Sequence, residues 1–364
     1  MGLLADSRVA FRAMRVSARL LVRTVIAATV LATVACPKPP PDDKTAPVSS
    51  VASSAASPPP NPSSSATASP APSASASGSG LSCIGDGWCE IMSVKKGGLH
   101  GIWGTNSGNV YALWSAAVVH FDGNTWLPVP GLDKEHFWGI HGSEAANVWA
   151  VGDQGVAFHF DGHWHEVKTP TKQTLRGVFA RDPADVWAVG DAGTLLHWDG
   201  HVWTATLAPT EARGRSILGV WSRTPNDAWA VGDFGIALHW DGVQWTRGAT
   251  GIELPLGAVS GTSADDVWAV GSGGTILHYD GTNWRPSSSG ATGTLFALWA
   301  EDRKNAWAVG DHGTIVHWDG ARWTPSPFGS EDDLHGIWAP IGRDIWVVGF
   351  SKTSGKTSTW RRKH

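Results

Sequence analysis

The chain is 364 residues long, enough for one large domain or two ordinary ones, with 16% charged residues, 44 Gly and 23 Trp. That balance excludes a mainly helical protein and suits short strands joined by tight turns. The formal charge is −4, and residues 1–36 contribute five Arg against Asp6, so the remainder stands at about −8, which argues against an electrostatic nucleic-acid partner.

Arg8 to Arg23 form a basic leader, followed by the apolar run TVIAATVLATVA at 24–35, which is too short to span a bilayer comfortably. Together they predict an export signal. Cys36 follows Val34–Ala35, and the stretch resembles a bacterial lipobox, with Thr33 standing where that pattern prefers Leu. The resemblance implies that Cys36 is lipidated and becomes the mature N-terminus; an ordinary secretory signal is the alternative. Residues 37–82 are almost entirely Pro, Ser, Ala and Thr, from which no core can be built. A flexible coil of 46 residues averages roughly 40 Å end to end. This arrangement predicts a monomeric domain held away from a cell-envelope surface, the outer membrane if the cell has two, or else a secreted one.

Cys83 and Cys89 flank IGDGW in an exported, disulfide-permissive setting, and predict a disulfide. The alternative, a metal site, lacks a second Cys or His pair at suitable spacing. From residue 98 onward the chain repeats itself. Aligning on the His before (W/F/Y)DG gives His120, His159, His197, His239, His278 and His317, at spacings of 39, 38, 42, 39 and 39. Such periods belong to four-stranded propeller blades. Each unit reads as strand A (LxGIW), strand B (VWAVG), strand C (GTxLHW) and strand D, which starts at the Trp of DGxxW. Of the 23 Trp, 21 fall in these columns; Trp114 and Trp138 do not.

Strand C is apolar on both alternations, as Leu195 and Leu196 show, which requires burial on both faces. The DG pairs suit two-residue type I′ hairpins between C and D. GDxG joins B to C, its Asp predicted to cap its own turn. A seventh unit starts at Leu334 and ends after GKTSTW without a strand D, while GDGWCEIMSV at 85–94 has the missing pattern. The prediction is an all-β, seven-bladed propeller over 83–364, its last blade closed by the N-terminal strand.

The six repeated His are too widely spaced to share one metal, and are read as blade-internal hydrogen-bond partners of the Asp or Asn before strand B. No metal, cofactor or catalytic residue is predicted. VWAVGDxGTxxHWDGxxW with LxGIW between copies resembles the tectonin-type repeats of lectin propellers and, more loosely, Asp-box (BNR) propellers. The first resemblance implies glycan binding. The second includes sialidases with a Tyr nucleophile, but Tyr111 and Tyr279 both occupy aromatic repeat columns. The leading expectation is therefore a non-enzymatic binding module for glycan or protein. A glycan hydrolase or lyase with a central-channel site, and a structural scaffold, are the alternatives. The longest insertion, TLAPTEARGRS at 206–216, places Glu211, Arg213 and Arg215 as candidate ligand contacts.

Overall fold

The structure, a computed structural model, describes residues 83–94, 98–114, 116–340 and 344–363. Cys36, the export signal and the linker lie outside them. Seven antiparallel sheets form a seven-bladed propeller. Blade 1 consists of Leu99–Asn106, Asn109–Trp114, Ala117–Phe121 and Trp126–Pro128. Blades 2 to 6 repeat this order over Phe137–Glu166, Leu175–Ala205, Ile217–Gly248, Leu256–Pro286 and Leu295–Pro325. The first strands of successive blades pack against one another in a closed ring, so they are innermost.

Blade 7 takes Asp333–Trp338, Ile345–Phe350 and Thr357–Arg362 from the C-terminal end and Trp88–Val94 from the N-terminal end. Trp88 faces Arg362 across the closing ladder, and Ser358 donates to Glu90 at 2.8 Å. The short strand Cys83–Ile84 adds a fifth position. Cys83 and Cys89 are direct partners there, with their sulfurs 2.01 Å apart.

Aromatic residues explain why a blade needs its neighbours. Trp187, in the second strand of blade 3, lies 5.2 Å from Trp240 and 5.0 Å edge-on from Trp245, both in blade 4. Trp149, Trp229 and Trp268 repeat this insertion into the next blade. Trp346 closes the ring by meeting Phe121 and Trp126 of blade 1. Tyr111 plays the same part from blade 1, meeting Phe160 and Trp164 of blade 2, so a large ring stays unburied until the next blade docks and stability is shared along the ring. Leu195 and Leu196 are both buried, as two-faced packing requires.

The turns exchange the roles expected for them. The C–D connection is four residues long, closed for example by Phe121 opposite Trp126. Asp122 there accepts from the amides of Asn124 and Thr125 at 2.9 Å, the capping expected of GDxG. GDxG is itself the type I′-like turn: Ala192 has φ 58°, Gly193 has φ 78°, and Thr194 N–H returns to Asp191 O. A Cβ on Gly190 would stand 2.1 Å from Thr174 O, so only Gly allows the first strand to approach. The Asp side chains reach out of their own turns. Asp311 accepts from Thr294 N–H at 2.8 Å and Asp233 from Ser216 N–H at 3.2 Å, just ahead of the first strands.

Candidate functional site

Each innermost strand carries a register shift at the residue after its first buried Leu, Ile or Phe. A bulge removes a residue from the ladder and re-aims its side chain. The seven residues at this position are His100, Trp138, Arg176, Leu218, Gly257, Phe296 and His335. Five form a connected arc. Phe296 stacks on His335 at 4.4 Å, His335 meets His100 at 5.7 Å, and His100 meets Trp138 at 5.6 Å. The Arg176 guanidinium lies over the Trp138 ring at 4.7 Å. The arc spans blades 6, 7, 1, 2 and 3, on the face that carries the B–C turns.

The GDxG aspartates hold this arc. Asp153 accepts from Trp138 Nε1 at 2.8 Å and from Thr174 Oγ1 at 3.1 Å. Asp191 takes Arg176 in a two-point pair at 3.0 and 2.9 Å. Arg176 and its neighbours hold the Asp191 carboxyl below its ordinary range. Burial lowers the His100 pKa, and burial followed by the neighbouring His100 lowers that of His335 to about 4. Both imidazoles are therefore neutral at pH 7. The arc offers aromatic faces, neutral ring nitrogens and one already paired guanidinium, a surface that binds by stacking and hydrogen bonding more than by net charge.

The insertion residues do not converge on one point. Arg213 Nε donates to Ala208 O at 3.2 Å, Arg215 lies over Phe234 at 4.2 Å, and Glu211 is exposed. The segment packs back on the blade 3 turn, where Gly193 N–H donates to Arg215 O at 2.6 Å. Tyr111 stacks on His120 at 4.4 Å and Tyr279 meets Trp229 at 4.7 Å; burial raises both phenols. Neither has the surroundings of an activated nucleophile.

All six repeated His bond to the residue that opens the second strand, at 2.6–2.8 Å. Among the described residues, two further groupings bring together possible metal ligands. Asp311, His312 and Asp333 form one, but the Lys352 ammonium contacts both carboxylates and takes the place a cation would occupy. His159, Asp161 and His165 form the other, with the His159 pKa lowered to about 4, first by burial. Sequence reading missed the arc because its side chains differ from blade to blade. The signal available was the x of LxGIW, the variable position within an otherwise constant strand.

Fold and arc together define a β-propeller with a connected aromatic surface on one face. No protein-family model matches the chain, and no curated protein is similar to it. Among solved structures it resembles YCF48 from Cyanidioschyzon merolae, at 17% identity and TM-score 0.61, over 76% of this chain and 99% of that one. A structure of YCF48 bound to D1 peptide aligns at 15% identity and TM-score 0.60, covering 78% of this chain and 97% of that chain. The WD40 propeller domain of Doa1 aligns at 11% identity and TM-score 0.61, covering 75% and 97%. These likenesses establish the shared fold.

Proposed function

We propose that the protein is a non-catalytic binding module that captures a peptide segment of a partner protein on the Phe296–His335–His100–Trp138–Arg176 arc. The observation that carries this reading is the fixed geometry of Trp138: it is 36% exposed, its Nε1 is held by Asp153, and its ring lies beneath Arg176. A rigid, accessible indole beside a paired Arg has the character of a binding hot spot, because little side-chain entropy remains to be lost. A propeller of the same fold has been solved with a bound peptide, which supports the ligand class by analogy of fold. In this reading Cys36 carries lipid, and the Pro/Ser-rich linker holds the propeller away from the envelope surface.

The exposed Trp138 face favours a second reading, tectonin-like glycan binding, since flat indoles also stack on sugar rings. Parallel peptide and glycan arrays probed with the full chain separate the two. The expected result is peptide hits that Trp138→Ala weakens by about tenfold or more. Glycan hits lost in the same variant select the second reading. Binding of either class that is indifferent to Trp138→Ala removes the arc as the site.

A further inference from the structure

The C–D hairpin of blade 2 differs from its five counterparts in a way that packing does not require. In blades 1, 3, 4, 5 and 6 the turn Asp accepts amide hydrogens two and three residues further on, as Asp199 does from His201 and Val202. Asp161 is turned away instead, with Oδ1 3.2 Å from His163 Nδ1 and 3.7 Å from His165 Nδ1. The turn glycine rotates with it: Gly162 has φ 120°, against 88–96° for Gly123, Gly200, Gly242, Gly281 and Gly320.

Opposite the repeated His, the other blades carry Leu127, Thr204, Thr246, Arg285 and Thr324; blade 2 carries His165 directly opposite His159. A ring nitrogen of each His and a carboxylate oxygen of Asp161 lie within 4.8 Å of one another. The tautomer of His159 is also set. Trp149 Nε1, which can only donate, bonds Asn147 Oδ1 at 3.1 Å, so that atom is an acceptor. His159 Nε2, 2.8 Å from the same oxygen, must carry its hydrogen, leaving the lone pair on Nδ1. An outer hydrogen bond of this kind commonly orients a metal-binding imidazole.

We propose that His159, Asp161, His163 and His165 form a binding site for a divalent transition-metal ion of the zinc type. Three imidazoles and one carboxylate suit such an ion and not a hard cation, which takes oxygen ligands. Ligands at about 2.1 Å around a tetrahedral ion are about 3.4 Å apart. The 3.2 and 3.7 Å separations already bracket that value. The hairpin lies on the face opposite the aromatic arc, so the proposal stands apart from peptide capture.

Calorimetric titration of the full chain with zinc chloride after chelator treatment tests it. The expected result is one equivalent bound, weakened by about tenfold or more in His165→Thr, which places at this position the residue that three other blades carry. His201→Ala, in the neighbouring blade, should bind as the wild type does. Equal thermal midpoints of wild type and His165→Thr in chelator show that the variant folds, and added zinc should then raise only the wild-type midpoint. Undiminished binding by His165→Thr overturns the site. So does absence of uptake at millimolar zinc, which leaves Asp161 as an ion-pair partner of the two imidazoles.

Discussion

His197 Nε2 lies 2.7 Å from Asp185 Oδ1 while its imidazole packs on Trp187 at 4.5 Å between ring centres. The second oxygen of Asp185 is taken by Arg181, four residues earlier, and Arg223 serves Asp227 and Thr262 serves Asp266 in the same way. Where the repeat has Asn, the residue four earlier offers an acceptor to its amide: Thr105 for Asn109, Ser143 for Asn147 and Glu301 for Asn305. Donors face Asp and acceptors face Asn. Asp185→Asn should therefore destabilise blade 3 by about 1–3 kcal/mol, by turning an amide toward Arg181. Arg181→Glu in the same chain should recover at least half of that loss, because it recreates the Glu301–Asn305 pairing. A double-mutant cycle by chemical denaturation reads the coupling, and simple additivity would refute it.

Ring closure predicts unequal effects at the N-terminal hairpin. Trp88 is fully buried and meets Phe328 edge-on at 5.8 Å. Trp88→Ala should cost about 3–5 kcal/mol, whereas opening the Cys83–Cys89 bond releases only a short loop, worth about 2 kcal/mol. Deleting 83–94 should cost more than either and expose the edge of Thr357–Arg362 to association. Thermal melts and light scattering of the three variants check this order.

The B–C turns predict a gain. Ala192 and Phe234 adopt φ 58° and 56°, a region that costs a non-Gly residue about 1 kcal/mol. Ala192→Gly should leave stability unchanged or raise it by up to about 1 kcal/mol. Gly193→Ala should lower it by more, since the added Cβ would stand 2.6 Å from Ala212 O. A fall with Ala192→Gly as large as that with Gly193→Ala would show that the turn does not need positive φ.

Acid should weaken the fold before its carboxylates titrate. His141 stacks on Phe179 at 4.3 Å and accepts the Ala180 amide at 3.1 Å, and burial holds its pKa near 4. That native value lies below the unfolded one, so the unfolded chain binds more protons between the two. The stabilisation from a neutral His141 is full above about pH 6.5 and is lost as pH falls toward 4, about 3 kcal/mol. His335 acts in the same direction. His141→Phe should flatten this part of the stability profile, at the cost of an unpaired Ala180 amide at neutral pH, about 1–3 kcal/mol. An unchanged slope between pH 6.5 and 4 would assign the acid sensitivity elsewhere.

The blade count, the strand columns, the two-faced third strands and the N-terminal closure were legible in the sequence, because every blade solves the same packing problem with the same residue types. The His-to-Asp/Asn bond was legible for the same reason. DG and GDxG both satisfy a local preference for positive φ, and only the folded backbone, with Thr194 N–H returning to Asp191 O across Ala192 and Gly193, reveals which one makes the two-residue turn. Tertiary structure alone decided the aromatic arc and the blade 2 cluster. Trp138, Arg176, His335 and His100 lie far apart in the chain and share no common residue type across the blades. A bulge repeated in seven innermost strands brings them side by side. His165 meets His159 only because the hairpin register sets them opposite each other, a relation fixed by backbone pairing across the C–D turn.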